Sequence, residues 1–282
     1  MDAKYSGRFA PSPTGPLHLG SLITAVASYL DARASGGSWR LRIDDIDPPR
    51  HDQTSFESIP SCLQAHGLTW DGGVIRQSLR RSTHDQYLKE LEHQGLTFTC
   101  VCTRTSLGSL GQCEADCSSR RHRTGSVRFK VPDNLPNTLD DLILGSRVTP
   151  RLPANFVIRR RDGLIAYQLA TAVDDLDELY THVIRGADLL ESGYRQMAIQ
   201  SALGRQSPRY GHIPILYDQQ GNKLSKQTGA APVDIQTPDQ NLKFALRFLN
   251  QSTALSDTSS VRDILEHAID HWNPKAIAPP GV

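Results

Sequence analysis

The sequence has no long hydrophobic run and no export signal. It contains no stretch of about 18 apolar residues, the length that a membrane-spanning helix needs. The N-terminal segment MDAKYSGRFA lacks the basic start and apolar continuation of a secretory signal. These absences predict a cytoplasmic protein that does not bind a membrane.

The chain also has little net charge and few cysteines. Its formal charge is +1, so any nucleic-acid binding must depend on local basic clusters. Five cysteines in 282 residues do not form the pattern of a disulfide framework. With 38% hydrophobic and 22% charged residues, the composition is that of a globular chain with a sizeable core. The length allows one large domain or two modest ones.

A proline-rich segment near the N-terminus predicts a nucleotide-binding turn between a strand and a helix. Residues 8–21 read RFAPSPTGPLHLGS, and helical spacing of apolar residues begins only at Leu19. The free amides and the positive dipole end of that helix favour an anion such as a phosphate. His18 would act as a donor there, and Gly20 would let a flat ligand approach the backbone. A loop without any ligand is the alternative.

A helix and a strand are predicted after this turn. Apolar spacing predicts a helix over Leu19–Ala34, and residues 39–43 alternate like a strand. Asp44, Asp45 and Asp47 follow this strand directly. Ligands of α/β sheets bind at such strand ends, although an acidic solvated turn fits the segment equally well.

Four of the five cysteines lie close together in the sequence. They are Cys100, Cys102, Cys113 and Cys117. Two close pairs of thiolates can bind a zinc ion tetrahedrally, and the metal would stabilise a loop that has little core of its own. Four unrelated thiols are the alternative.

A basic segment without acidic residues, 118–130, follows the cysteines. Its basic residues are Arg120, Arg121, Arg123, Arg128 and Lys130. Beside a metal site such a run is a candidate for contacts with nucleic-acid phosphates. A solvated face is the alternative.

The α/β pattern resumes beyond this segment. After the cysteines, strands are predicted over residues 156–158 and His182–Gly186, and a helix is predicted over residues 189–203. Before the cysteines, helices are predicted over residues 53–66 and 78–94. Pro60 is expected to break or kink the first of these two helices. Residues 164–173 predict a strand and the start of a helix that contains Tyr167. Two halves of an α/β domain thus flank the cysteine segment.

Near the C-terminal end, Lys223 and Lys226 lie in a glycine-bearing loop and could both contact a polyphosphate, although lysines in loops are common.

Together these motifs resemble class I aminoacyl-tRNA synthetases. The segment HLGS at residues 18–21 is similar to their His-Ile-Gly-His signature, and KLSKQ at residues 223–227 is similar to their Lys-Met-Ser-Lys-Ser signature. The segments RFAPSPTGPLHLGS, RLRIDDIDPPR, THVIRGADLL and PILYDQQGNKLSK are similar to segments of glutamyl-tRNA synthetases. The resemblance runs from about Gly7 to Ala231.

The chain departs from that family in four places. Ser21 replaces the final His of the first signature, Asp44 replaces a Glu, and Cys113 is one residue out of the usual zinc spacing. The chain after Lys226 is too short for the anticodon-binding domains of a full glutamyl-tRNA synthetase. It therefore resembles a truncated branch of the family, which attaches glutamate to the queuosine base in the anticodon of tRNA(Asp).

The resemblance implies a fold and a domain order. The fold is α/β, a Rossmann-like class I synthetase catalytic domain with an inserted zinc-binding α+β subdomain and a short helical C-terminal region. Residues 1–99 are expected to form the first half of the catalytic domain and residues 100–154 the zinc-bearing insertion. Residues 155–231 are expected to form the second half with the lysine loop, and residues 232–282 a helical region without an anticodon-binding domain.

The resemblance also implies substrates and site residues. ATP with Mg²⁺, L-glutamate and tRNA(Asp) carrying queuosine are the expected partners of a monomer with one structural zinc ion per chain. The catalytic residues would be His18 and Lys226, and ATP would contact His18, Gly20, Lys223 and Lys226. Glutamate would contact Arg8, Ser12, Asp44, Tyr167 and Arg185, with the arginines on carboxylates and Asp44 on the ammonium group. The alternatives are activation of an amino acid for a small-molecule acceptor and a tRNA-binding paralogue without catalysis.

Overall fold

The structure is a computed structural model, and it describes residues 4–107, 111, 113, 115–120, 122–133, 135, 138–148, 154–217, 221, 231–254, 256 and 258–277. The strands are β1 (Ser6–Phe9), β2 (Ser38–Ile43), β3 (Ile75–Arg76), β4 (Thr97–Cys100), β5 (Ser126–Phe129), β6 (Thr138–Asp141), β7 (Gly145–Val148), β8 (Phe156–Arg159), β9 (His182–Gly186) and β10 (Arg209–Ile213). The helices are α1 (Leu19–Ala34), α2 (Ser55–Ala65), α3 (Arg81–His93), α4 (Tyr167–Asp177), α5 (Leu190–Ala202), α6 (Pro238–Phe248) and α7 (Val261–Asp270). In this described part of the chain, no helix combines the length and apolar character required to cross a membrane.

Parallel strands form the layer that carries the candidate site. β1 pairs with β2 and β2 with β3, while β9 pairs with β10. The amide of Thr181, just before β9, donates to the carbonyl of Ser6 in β1 at 2.9 Å, so β1 and β9 lie side by side. The strands thus follow the order β3, β2, β1, β9, β10, and the connections after β1 and β9 run in opposite directions. Such a switch point leaves a ligand-binding crevice at the carboxyl ends of the two central strands.

Helix α1 packs at the centre of the main hydrophobic core. Its bounds confirm the predicted helix, and its side chains Leu22, Ile23, Val26 and Leu30 are at most 1% exposed. The helix contacts β1, β2 and β9 on one side and helices α6 and α7 of the C-terminal region on another. Trp39 of β2 is fully buried beside it. The sheet is therefore covered by a helix that begins at the N-terminal turn.

A second, antiparallel sheet contains β4, β5 and β8. These strands come from three different predicted segments, 1–99, 100–154 and 155–231, so the predicted divisions cross this sheet. The hairpin of β6 and β7 contacts the parallel layer, because the amide of Leu142 donates to the carbonyl of Tyr210 at 2.8 Å. An inserted subdomain therefore stays a prediction.

Two predicted helices differ in detail from the structure. The helix predicted over residues 78–94 begins with a 3₁₀ turn over Gln77–Arg80 and is α-helical over Arg81–His93. Of the two predicted effects of Pro60, a break is wrong, because α2 continues through this residue, and a kink stays a prediction. Proline removes a single amide donor, and the buried side chains Ile59 and Leu63 on either side keep the helix packed on the core.

A buried chain of ion pairs joins β1, β2 and α4. Asp175 of α4 accepts from Nε and Nη2 of Arg8 at 3.2 and 3.1 Å and from Nη1 of Arg42 at 2.8 Å. Arg42 in turn donates through Nε to Asp44 at 2.6 Å. Burial alone would raise the pKa of Asp175, but the two guanidiniums hold it below its ordinary value. Charges of alternating sign thus compensate one another inside the fold.

We expect the variant Asp175→Ala to unfold at a much lower urea concentration than the unchanged protein. The substitution leaves two buried guanidiniums without their carboxylate, which costs about 3–5 kcal/mol in comparable sites. The matched control is Glu266→Ala, which removes the exposed ion pair with Arg262 and is expected to leave the urea midpoint unchanged. Equal midpoints for the two variants would contradict a stabilising role of the buried chain.

Candidate functional site

A cavity of about 520 Å³ opens where the carboxyl ends of β1 and β9 meet. The structure brings together here seven of the predicted substrate and nucleotide residues: Arg8, Ser12, His18, Gly20, Asp44, Tyr167 and Arg185. They come from the two central strands, the proline-rich loop, the end of β2 and the starts of α1 and α4. The predicted Lys223 and Lys226 lie outside the described residues. Segments far apart in sequence therefore converge on the predicted crevice.

His18 is the N-cap of α1 at the wall of this cavity. Its Nδ1 accepts from the backbone amide of Ser21 at 3.3 Å, and its Nε2 lies 3.0 Å from Oγ of Ser21. Because Nδ1 accepts, the proton of the neutral ring is on Nε2, which becomes the donor side. Ser21, the residue that departs from the family signature, therefore orients the ring.

The ends of the lysine-bearing loop are anchored beside the same cavity. The amide of Val233 donates to the carbonyl of Leu17 at 2.9 Å, and Pro232 forms a β-bridge with His18. On the other side of the loop, Pro214 and Leu216 line the cavity. Both flanks of residues 218–230 therefore lie near the start of α1.

Arg8 and Asp44 form the two ends of the buried ion-pair chain, and both reach the cavity wall. The Nε–Nη2 edge of Arg8 faces Asp175, so that edge is not available for the predicted contact with a carboxylate of glutamate. Asp44 accepts from Arg42, and burial raises the pKa of Asp44 although Arg42 opposes the shift. The cavity is therefore presented with one positive and one negative group whose side chains are already fixed.

The neighbouring carboxylates have different positions. Asp45 is fully buried and accepts from the amide and hydroxyl of Ser78 and from Arg76, so it anchors the segment after β3. Asp47 pairs with Arg160 at 2.9 Å. Of the three predicted acidic residues, Asp44 alone lines this cavity of about 520 Å³.

Arg185 at the end of β9 is held on three sides. Its Nε donates to Nε2 of His212 at 3.0 Å, and its Nη1 donates to Gln196 at 2.7 Å. The guanidinium stacks over the ring of Tyr210, and a Cβ on Gly193 would lie 3.1 Å from Nη2. Arg185 is 3% exposed, and within the described chain its Nη2 has no hydrogen-bond partner. The Nη2 donor of this buried cation at the cavity wall is therefore available for a hydrogen-bond acceptor on a ligand.

His212 and Asp141 fix the orientation of Arg185. Oδ2 of Asp141 accepts from Nδ1 of His212 at 2.5 Å, which leaves Nε2 as the acceptor for Arg185. Oδ1 of Asp141 accepts from the amides of Ile143 and Leu144. Burial lowers the pKa of His212 and Arg185 lowers it further, while Asp141 opposes the shift. The sequence analysis missed this pair, because two residues on β6 and β10 carry no local motif.

The four clustered cysteines form a group that could hold a metal ion. Their Sγ atoms all lie within 4.8 Å of one another, and Cys102 is 3.5 Å from Cys113 and 3.8 Å from Cys117. Four thiolates bound to zinc at about 2.3 Å would be separated by about 3.8 Å, so the donors fit such an ion. The unusual spacing of Cys113 does not prevent it from joining the group.

The basic segment after the cysteines divides into different environments. Arg120 and Arg123 are exposed, and Arg121 lies outside the described residues. Arg128 is buried and donates to the carbonyls of Gly111 and Asn155, so it is a structural residue and not part of a solvated or phosphate-binding face.

Comparison with known proteins identifies close sequence relatives. The model of the catalytic domain of class I tRNA synthetases (E and Q) matches residues 4–253. A protein named glutamyl-Q tRNA(Asp) synthetase from Xanthomonas campestris pv. campestris is 43% identical over 97% of this chain and 93% of its own. Proteins of the same name from Methylococcus capsulatus and Salmonella paratyphi A are 42% and 41% identical over 99% and 98% of this chain, and over 94% of each relative.

A solved structure has the same architecture. The glutamate tRNA ligase of Elizabethkingia meningosepticum, crystallised in complex with its amino acid, superposes with a TM-score of 0.79 at 25% identity. The match covers 98% of this chain but 66% of the ligase. The present chain thus spans about two thirds of the length of that enzyme.

We expect elemental analysis of the purified protein to find about one metal ion per chain. The variant Cys113→Ser is expected to lower both the metal content and the melting temperature, because a bound metal replaces a missing core. The matched control is Cys62→Ser, the same change at the buried cysteine of α2 outside the group, which should retain the metal. Unchanged melting of metal-free protein would refute the site.

Proposed function

The chain belongs to the catalytic-domain family of class I tRNA synthetases for glutamate and glutamine, and we propose that it activates glutamate with ATP and transfers the glutamyl group to the queuosine base in the anticodon of tRNA(Asp). The observation that carries the proposal is the convergence of Arg8, Asp44 and Arg185 with the N-terminus of α1 in one cavity. The name shared by the sequence relatives supports the acceptor. These substrates imply a cytoplasmic reaction.

The charges of the cavity match an amino acid with an acidic side chain. The α-carboxylate of glutamate must be free to attack ATP, so Nη2 of Arg185 is assigned to the side-chain carboxylate. Asp44 is assigned to the α-ammonium group, because its carboxylate can accept a hydrogen bond from the ammonium while it is paired with Arg42. Ser12 and Tyr167 contribute hydroxyl groups, and Arg8 contributes positive charge at the end of the ion-pair chain. Asp44 is one methylene shorter than Glu, so the ammonium must bind closer to β2.

The first chemical step forms glutamyl-adenylate. An oxygen of the α-carboxylate attacks the α-phosphate of ATP, and pyrophosphate leaves. The start of α1, with His18 at its N-cap and Gly20 allowing close approach, can stabilise the negative charge on the phosphate. Lys223 and Lys226 are assigned to the same phosphates, because the flanks of their loop are anchored beside His18. Mg²⁺ bound with ATP would neutralise further charge.

The second step consumes the adenylate. A hydroxyl oxygen of the queuosine ring attacks the glutamyl carbonyl, and an ester forms. AMP leaves with the electron pair of the broken anhydride bond, and its phosphate takes up the hydroxyl proton. No covalent enzyme intermediate is needed. The cysteine group is assigned to one structural zinc ion that takes no part in either step.

We expect the affinity for glutamate to fall at acid pH through His212. The pKa of this ring lies below its ordinary value, so the ring is neutral at neutral pH and its Nε2 accepts from Arg185. Protonation turns that acceptor into a donor facing a guanidinium, so KM for glutamate should rise as pH falls through the lowered pKa. Above the ordinary histidine range, KM should be constant.

The variant Asp141→Asn should reproduce this effect at neutral pH. An amide opposite Nδ1 favours the other tautomer and opposes the His212–Arg185 bond, so KM for glutamate should rise about tenfold or more, the loss expected for a hydrogen bond to a charged group. KM for ATP should change little. Asp31→Asn, a buried carboxylate of α1 bonded to Tyr5 and Trp272, is the matched control. Equal KM values for both variants would contradict the positioning role.

The proposed reaction is tested by measuring its two steps separately. We expect glutamate-dependent exchange of pyrophosphate into ATP without tRNA, and transfer of labelled glutamate to tRNA(Asp) that carries queuosine. Transfer to unmodified tRNA(Asp), or to the 3′ end of tRNA(Glu), would refute the assigned acceptor. Exchange without transfer to any tRNA would favour a small-molecule acceptor, and the absence of exchange would favour a binding protein.

A further inference from the structure

A second cavity of about 430 Å³ lies against the antiparallel sheet, and arginines dominate its wall. They are Arg123, which follows the cysteine group, and Arg159, Arg160 and Arg161, which lie at the end of β8 and in the turn after it. Among the described residues, no acidic side chain lines this cavity. Its charge therefore favours an anionic ligand.

Three of these four guanidiniums have no carboxylate partner in the part of the chain that the structure describes. Arg160 pairs with Asp47 at 2.9 Å and with Asp162 at 2.6 Å, so its charge is compensated. Arg161 donates to the carbonyl of Val101 at 2.8 Å, a bond that fixes the side chain without neutralising it. Arg123 and Arg159 form no ion pair there. The positive charges of Arg123, Arg159 and Arg161 are therefore not neutralised by a carboxylate, and the side chain of Arg161 is held in place by its hydrogen bond.

A third cavity, of about 240 Å³, lies between the arginine cavity and the active site. It shares Arg160 with the arginine cavity and Ser12, Asp44 and Tyr167 with the active site. The three cavities therefore adjoin one another through shared wall residues, and together they are called the track. A small acceptor would fill only the active-site end, whereas a polymer whose reactive group entered the active site would extend along the track.

We propose that Arg123, Arg159 and Arg161 bind the phosphodiester backbone of the RNA acceptor beside the nucleotide that enters the active site. This inference rests on the proposed function. RNA is the polymer that matches the track, because it combines a backbone of repeated anions with a nucleoside that can leave the stack. Arginine forks bind phosphate through paired hydrogen bonds, and these contacts would orient the strand without selecting its sequence.

The double variant Arg123→Ala with Arg159→Ala tests the arginine site. Neither side chain has an ion pair in the described structure, so the fold should be retained. The matched control is Arg81→Ala with Arg205→Ala, two exposed arginines outside the basic segment 118–130 that do not line the track. Filter binding of queuosine-containing tRNA(Asp) is measured over a range of salt concentrations, together with pyrophosphate exchange without tRNA and with glutamyl transfer.

The arginine site predicts a specific pattern of results. Compared with the control pair, the test pair should weaken tRNA binding about tenfold or more and make its salt dependence shallower by about one unit or more of log–log slope. KM for tRNA in the transfer reaction should rise, while pyrophosphate exchange should not change. Equal tRNA affinity and salt slope in the two pairs would overturn the arginine site.

The same experiment separates this inference from the proposed function. If the unchanged protein exchanges pyrophosphate and transfers glutamate while both variant pairs bind tRNA alike, the arginine site alone is refuted. If the unchanged protein neither exchanges pyrophosphate nor binds the tRNA, the proposed function is refuted together with it. Loss of exchange in the test pair would show damage to the active site and would also overturn the assignment of these arginines to RNA.

Discussion

The buried ion-pair chain of Arg8, Asp175, Arg42 and Asp44 is the interaction on which the site depends. Each of its charges would be unstable in the interior alone, and each is compensated by a neighbour of opposite sign. The ion pairs link β1, β2 and α4. If these elements separated, a buried charge would therefore lose its partner of opposite sign. The two ends of the chain are also the groups that reach the cavity, so one network both holds the strands together and sets the charge of the site.

Arg185 is presented to the cavity by a different network. It depends on a neutral histidine, whose acceptor side is fixed by Asp141 and whose ring is kept neutral mainly by burial. The same buried environment strengthens the interaction of Arg185 with any anion that reaches it, since little water competes. Groups that are oriented before the substrate binds need little rearrangement during the reaction, which is the main way in which a protein lowers an electrostatic barrier.

A short stretch of the chain connects the cysteine group to the second, arginine-lined cavity. Arg123 follows Cys117 closely in sequence and lines the second cavity, while Arg159 and Arg161 approach it from β8 and the following turn. A metal ion bound by the cysteines would hold the first of these segments in place without contacting the reactants. In that arrangement the metal would influence RNA binding indirectly, through the position of a cationic side chain.

Local patterns in the sequence determined much of this molecule. The bounds of α1, the strand at His182–Gly186 and the grouping of four cysteines all follow from spacing that a short window reveals, because helical period, alternation and thiolate chemistry act over a few residues. The residues that line the cavity could be predicted as one set because they belong to motifs that resemble one family. Their convergence in one cavity, however, required the order of the parallel strands.

Only the tertiary structure decided the partners of the charged residues. Asp44 and Asp45 are adjacent, yet Asp44 pairs with Arg42 and lines the cavity, whereas Asp45 accepts from Arg76 and Ser78 and anchors the segment after β3, because different elements meet each carboxylate. Asp141 and His212, or Arg123 and Arg159, are brought together by strand packing and carry no common motif. Charge pairing in the interior depends on which elements meet, and this is settled by the packing of the whole chain and not by any short stretch of sequence.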